Sequence, residues 1–337
     1  MIRSIVACII LIVLLEGCGF NGSVFGTWKN HNISRDKRTE IDILNRKLIN
    51  SIKFNDVVAV KSILSDTLKK IAGNKIDSLI SRISPLFTSD QFSILDEYNV
   101  HNLVSGISVS LKANSKTDDD YTLTYNALNR ETYASLLLVN DPTGEVLVTV
   151  VYGNYDGNWE INILQVGQYR YYYKNAMDYY RLAKLNYEKG YFIDAADNLL
   201  IANQCLKPAK EIFKYKKEEE VKAFYDKVMK ETLSKYNLPL TLDNIPSKPK
   251  VFSVYPQLKE GGYYNTFRYL SSINMNDSIA LEKENKKVQI EVRKIFTGVG
   301  IYKRITLYQV FNEMPDGNNP IKYYGFVDRG NMRTATY

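Results

Sequence analysis

The chain has 337 residues, with 44 Lys and Arg against 37 Asp and Glu, which gives a net charge of +7. This length predicts two or three domains. Positive and negative side chains are mixed along the whole sequence, which predicts a solvated surface, and we expect no nucleic-acid partner. The three cysteines and two histidines have no metal-ligand spacing, so we expect neither a zinc site nor a cofactor.

The chain begins with a short apolar run. Arg3 precedes this run, which extends from Ile5 to Leu15, and Leu15-Glu16-Gly17-Cys18 closes it. One cation before an apolar core of about 7–15 residues is typical of a secretory signal peptide, whereas a membrane-spanning helix needs about 20 residues. The closing four residues resemble the lipobox of bacterial lipoproteins, with Glu16 at a position where that family usually has a small uncharged residue.

The resemblance implies cleavage before Cys18 and fatty acyl chains on that residue, which would anchor an extracytoplasmic lipoprotein to a membrane. Gly19 is, by resemblance to Gram-negative sorting rules, typical of the periplasmic face of the outer membrane. The alternative is a buried N-terminal helix or strand that contains a cysteine. If Cys8 is removed with the signal and Cys18 is acylated, Cys205 has no disulfide partner within the chain.

We predict an α+β protein with N-terminal helices packed on a curved antiparallel sheet, a helical middle and a mostly-β C-terminal module. Residues 18–35 are rich in Gly, Asn and Ser without a period, which predicts a lipidated tether. Pro239, Pro246 and Pro249 indicate a linker. The predicted segments are 1–17 (signal peptide), 18–35 (tether), 36–170 (α+β domain), 171–240 (helical) and 250–337 (β-rich domain).

The α+β domain begins with three stretches in which apolar residues recur at helical spacing, over 41–52, 57–68 and 76–83. Asp56 and Gly73 are typical start and stop residues for the second helix. Alternation with a period of two, and two apolar runs separated by the turn at 140–144, then predict strands. Between Ile163 and Leu164 the apolar phase slips by one residue, which predicts a β-bulge. The predicted strands are 107–112, 121–126, 133–139, 146–152 and 159–166.

Helices followed by a curled antiparallel meander resemble the NTF2-like, or cystatin-like, superfamily. The stretch from Leu136 to Tyr169 has the features of that resemblance: two long strands, a Gly-Asn turn and a Trp-x-Ile-x-Ile ending. The resemblance implies a cone between helices and sheet. The candidate binding residues facing it are Tyr121, Tyr125 and Trp159. A different helix-plus-meander fold is the alternative.

Residues 176–205 resemble a single tetratricopeptide unit, with Gly190 at its turn and Ala195 where the paired helices approach closely. Such repeats need about three copies to bury a continuous core, and only one is found. A helical hairpin docked on its neighbours is therefore favoured over a peptide-binding array. A charged helix over 209–236 follows. In the C-terminal part the predicted strands are 251–255, 288–292, 305–311 and 323–327.

The motifs of phosphate-binding loops, serine hydrolases and zinc peptidases are absent from the sequence. Asp118-Asp119-Asp120 lacks the spaced ligands of a calcium loop, and a solvated hairpin turn is favoured. We therefore predict a non-catalytic binding or assembly protein of the cell envelope. Its expected partners are the membrane, through lipid on Cys18, and an envelope protein or small apolar ligand. The alternative is a small-ligand carrier or enzyme that uses the cone.

Overall fold

The computed structural model describes residues 25–259, 261–301, 305–316 and 321–330. The predicted signal peptide, the lipobox and Cys18 lie outside these residues. Within them, no helix has both the length and the apolar character needed to cross a membrane. The described chain is an α+β protein whose helices pack on a curled antiparallel sheet, and this confirms the predicted fold class.

The central sheet has six antiparallel strands, and the strands predicted over 133–139, 146–152 and 159–166 are three of them. A bulge lies at Asn162, just before the slip predicted between Ile163 and Leu164, because Val151 pairs with Ile163 while the next residue, Tyr152, pairs with Ile161. In spatial order the strands are β1 (Gly26–Lys29), β2 (Phe92–His101), β5 (Glu131–Asn140), β6 (Gly144–Tyr155), β7 (Asn158–Tyr171) and β8 (Lys174–Asn175).

The first two strands differ from the sequence prediction. β1 lies inside the stretch expected to be a tether, because Gly26–Lys29 pairs with the end of β2, and Ile33 is buried. β2 was not predicted, since charged and polar residues occupy both of its faces. These two strands form one edge of the sheet.

Four helices cover one face of the central sheet: α1 (Arg35–Lys53), α2 (Val57–Ser62), α3 (Asp66–Ala72) and α4 (Lys75–Ile83). Asp56 caps α2 by accepting a hydrogen bond from Ala59 N at 2.9 Å, and Gly73 ends α3 with a φ of +49°, as predicted. Ile41 and Leu48 of α1 belong to the same buried apolar cluster as Val148 of β6.

The single helix predicted over 57–68 is wrong, because the chain leaves helical geometry at residues 63–65. There Ile161 N donates to Ile63 O at 2.8 Å, and Ser65 N donates to Ile161 O at 2.9 Å. Ser65 then caps α3 by accepting from Leu68 N. The backbone hydrogen bonds to Ile161 of β7 therefore replace the helical hydrogen bonds that would have joined α2 to α3.

The opposite face of the central sheet is covered by a small sheet and three helices, which share one buried apolar cluster with it. The strands predicted over 107–112 and 121–126 lie in this small sheet, not in the central one. The predicted ranges 36–170 and 171–240 thus contribute to a common core. The elements are β3 (Ile107–Lys112), β4 (Tyr121–Ala127), β9 (Phe213–Tyr215), α5 (Ala176–Glu188), α6 (Phe192–Cys205) and α7 (Glu218–Tyr236).

The C-terminal part forms a five-stranded sheet with one helix. The strand predicted over 288–292 is wrong, because this stretch is the end of α8 (Ser278–Ile295). Leu281, Val288 and Val292 are all fully buried at helical spacing, and α8 connects two parallel strands. The strands are β10 (Leu240–Thr241), β11 (Lys250–Lys259), β12 (Gly262–Leu270), β13 (Thr306–Phe311) and β14 (Tyr324–Asp328).

The α5–α6 hairpin packs against β12. Tyr263 donates to Asn198 Oδ1 at 2.5 Å, and its ring meets that of Tyr179 edge-on with 5.9 Å between centroids. Asn265 Nδ2 donates to Asp197 Oδ2 at 2.6 Å. Side chains of both hairpin helices are thus in contact with β12, which supports a docked hairpin over a peptide-binding repeat.

We predict that Gly190→Val destabilises the protein by about 1–2 kcal/mol, because Gly190 has a φ of +75° that β-carbon-bearing residues avoid. No heavy atom lies within 4 Å of the position that a Cβ of residue 190 would occupy. The loss of stability therefore comes from backbone strain alone and not from a steric clash. Gly190→Asn is the matched control, since asparagine tolerates positive φ better. Urea unfolding midpoints test this, and a valine variant as stable as the asparagine variant contradicts it.

Candidate functional site

A cleft of about 680 Å³ opens between the start of α1 and one end of the central sheet. We call it the α1–sheet cleft. Phe25, Trp28 and Ile33 form its apolar wall, and Lys37, His101 and other polar side chains form an adjoining polar wall. A concave site that combines apolar walls with a few converging polar groups is the usual form of a small-ligand pocket.

Strand register explains why these side chains meet. His101 at the end of β2 pairs with Gly26 of β1 on one side and with Glu131 of β5 on the other. Side chains two residues apart on a strand share a face, so Glu97, Asn99 and His101 all point toward α1. The first turn of α1, capped by Ser34, brings Lys37 over the same face.

Glu131 contacts four other polar side chains at the polar wall. Its Oε1 lies 2.9 Å from His101 Nε2 and 3.1 Å from Lys37 Nζ. The same oxygen accepts from Asn99 Nδ2 at 3.1 Å, and Oε2 accepts from Asn154 Nδ2 at 2.7 Å. Trp28 also meets the His101 ring edge-on at 5.2 Å. These contacts fix the imidazole in one orientation.

Further under α1, buried polar groups pair with one another and close the cleft. Tyr133 donates to Glu97 Oε2 at 2.7 Å. Burial raises the pKa of the Glu97 carboxyl, although this hydrogen bond and the positive charge of Arg38 act in the opposite direction. Asn45 then donates to Ser135 and accepts from Tyr152. Apolar side chains fill the space beyond, so the ligand space is confined to the mouth.

The mouth of the cleft has an excess of positive charge. Lys37 is paired with Glu131, whereas the exposed guanidinium of Arg130 has no hydrogen-bond or ion-pair partner among residues that the structure describes. An unpaired guanidinium is suited to bidentate binding of a carboxylate, phosphate or sulfonate. The arrangement therefore fits a small ligand with an anionic group and an apolar body.

The three residues proposed from sequence do not come together. Tyr121 and Tyr125 lie on β4, across the sheet from the cleft, and both are buried. Tyr121 donates to Asp96 Oδ2 at 2.5 Å. Tyr125 is hydrogen-bonded to Thr132 at 2.9 Å, and burial raises its pKa to about 12. Trp159 is 7% exposed and adjoins the cleft from behind, with Lys37 Nζ 4.8 Å from its ring centroid.

Lys37, His101, Arg130 and Glu131 were missed because their meeting depends on β2, whose pattern is not recognisable as a strand. The signal that could have revealed them is the alternation of Glu97, Asn99 and His101 on one face.

The acidic run forms a local turn, as the sequence favoured, but its side chains are not solvated, because Asp118 and Asp119 are half-buried and Asp120 is buried. Asp118 binds Lys217 Nζ at 2.7 Å, and this interaction lowers the pKa of the Asp118 carboxyl. Asp120 accepts from Ser115 N at 2.7 Å. Over the described ranges, no group of three or more His, Cys, Asp or Glu side chains is arranged to hold a metal ion.

Comparison with protein families, with characterised proteins and with solved structures found no match for this chain.

Proposed function

We propose that this protein is a membrane-anchored, extracytoplasmic lipoprotein with a non-catalytic binding role in the cell envelope, and that the α1–sheet cleft is its ligand site. The N-terminal signal and lipobox resemblance support the anchor. The domain around the cleft is proposed to be NTF2-like, because helices cover one face of a curled sheet and leave a polar opening at one end.

The observation that carries the binding role is that the unpaired Arg130 lines the same cleft as the apolar side chains of Phe25, Trp28 and Ile33. A charged hydrogen bond to Arg130 would fix the anionic end of a ligand, and burial against the rings would stabilise its apolar part. The small apolar ligand expected from sequence thus becomes a small amphiphilic anion.

An enzyme is the second candidate, and the His101–Glu131 pair favours it. A carboxylate that orients a histidine is a common arrangement for a general base. The described cleft lining, however, contains no cysteine, and its one hydroxyl, on Ser34, caps α1. Turnover of an added substrate that is lost in His101→Gln, while ligand binding persists, would favour the enzyme.

We predict that 1-anilinonaphthalene-8-sulfonate, an aromatic sulfonate, binds in the cleft and quenches tryptophan fluorescence. Both tryptophans of the chain adjoin the cleft, so the quenching reports occupancy. Arg130→Gln should weaken binding by about tenfold or more, because a hydrogen bond to a charged group contributes about 1.5–3 kcal/mol.

Two controls separate charge from apolar binding. N-phenyl-1-naphthylamine lacks the sulfonate, so its affinity should be unchanged in Arg130→Gln. Arg82→Gln removes an exposed arginine on α4, outside the cleft, and should leave both affinities unchanged. Equal losses for the two dyes, or none, would contradict an anion site at Arg130.

The anchor gives a separate prediction. Cys18→Ser should prevent acylation, because the serine hydroxyl cannot replace the thiol that receives the lipid, and the protein should be soluble or remain an uncut precursor. Mass spectrometry and cell fractionation measure this. Identical masses beyond the substitution, together with identical solubility of wild type and variant, would contradict the lipoprotein proposal.

A further inference from the structure

We propose that the end of the protein around the cleft mouth docks on the bilayer that holds the lipid anchor, with apolar loop residues inserted between headgroups. This inference rests on the proposed lipoprotein function. It adds an orientation: the α1–sheet cleft would open at the membrane surface and not toward the interior of the periplasm.

The chain enters the structure at this end. Phe25 lines the cleft and follows Cys18 by seven positions, from 18 to 25. Seven extended residues span at most about 25 Å. Lipid on Cys18 would therefore keep the cleft mouth within that distance of the headgroups, whatever path the connecting residues take.

Four exposed apolar side chains lie at the same end. Leu103 is 64% and Val104 53% exposed, in the loop that follows β2, and Phe25 is 52% exposed. Leu128, in the loop that precedes β5, is 38% exposed. Large apolar side chains grouped on a surface mark interaction sites, whereas single ones need no explanation.

The backbone fixes these loops beside one another. Asn102 N donates to Arg130 O at 2.7 Å, and Gly106 N donates to Ala127 O at 2.6 Å. The loop after β2 and the loop before β5 therefore form one surface, next to the pairing of Gly26 with His101. We call this surface the apical patch; it consists of Phe25, Leu103, Val104 and Leu128.

Charge at the patch fits an anionic bilayer. Arg130 lies between the patch and the cleft, is exposed, and has no partner among the described side chains. A basic side chain near a surface of anionic lipids is attracted to it. Three observations therefore favour the bilayer as the occupant of this surface. They are the entry of the chain at this end, the grouped apolar side chains and the unpaired Arg130.

A spin label on Leu103→Cys tests the orientation. The full-length protein, purified from cells that process and acylate lipoproteins, is reconstituted in vesicles of phosphatidylethanolamine and phosphatidylglycerol. Val58→Cys is the matched control, because Val58 is 79% exposed on α2. Cys205 is fully buried and will not compete for the label. Collision with oxygen, which concentrates in lipid, and with a water-soluble nickel chelate is measured at each site.

Docking predicts that the label at 103 collides more with oxygen and several-fold less with nickel than the label at 58. A second variant, Leu128→Cys labelled in a Val104→Asp background, should be more accessible to nickel than the same label with Val104 intact. A label at 103 that is as aqueous as the label at 58 overturns the inference. Shielding from both oxygen and nickel indicates a protein contact and also overturns it.

Flotation of the same vesicles distinguishes the two proposals. Protein that does not float with the lipid contradicts the lipoprotein itself. Protein that floats while both labels remain in water contradicts only the docking of the apical patch.

Discussion

The carboxylate of Asp96 joins the parts of the structure that form the cleft. It is buried in β2, between the central sheet and the small sheet of β3, β4 and β9. Its Oδ1 accepts from Asn30 Nδ2 at 2.9 Å and lies 2.9 Å from Lys29 Nζ. Its Oδ2 accepts from Tyr121 on β4 and, at 3.3 Å, from Tyr98. A buried charge is tolerated only when it is satisfied in this way.

Asp96 affects the shape of the cleft through its contacts with the end of β1. This strand has only four residues and lies at the edge of the sheet, so its backbone pairing alone holds it weakly. Lys29 and Asn30 at its end are fixed by Asp96, and Asn30 Oδ1 also accepts from Glu97 N at 2.8 Å. Trp28, one wall of the cleft, is thereby placed against His101. Loss of Asp96 would affect the cleft without touching a residue that lines it.

Whether an element of the structure could be predicted from the sequence depends on whether local or non-local contacts stabilise it. β5 and β6 follow from apolar runs on either side of a turn, β7 follows from apolar alternation, and the bulge at Asn162 follows from a slip in that alternation. The start of α2 and the end of α3 follow from local signals at Asp56 and Gly73. These signals act within a few residues, so they are readable in one sequence.

β2 and the cleft are not readable in this way, because their stabilisation is non-local. Asp96 and Glu97 look like solvent-exposed residues until partners from other strands are known, namely Tyr121 from β4 and Tyr133 from β5. The stretch 288–292 fails for a related reason. Its alternation resembles a strand, but Val288 and Val292 also share one helical face with Leu281, and the core selects the helix.

Under the proposed anchor, the cleft wall and the tether are consecutive parts of one chain. Any pull from lipid on Cys18 would act first on Phe25 and then on β1, before reaching other elements. The contacts that resist this pull are the pairing of β1 with β2 and the bonds of Lys29 and Asn30 to Asp96. Because Asp96 is buried and Lys29 is only partly exposed, solvent weakens these bonds less than it weakens exposed ion pairs. Asp96 would therefore keep the shape of the cleft independent of the anchor, which a binding site at a tethered chain end requires.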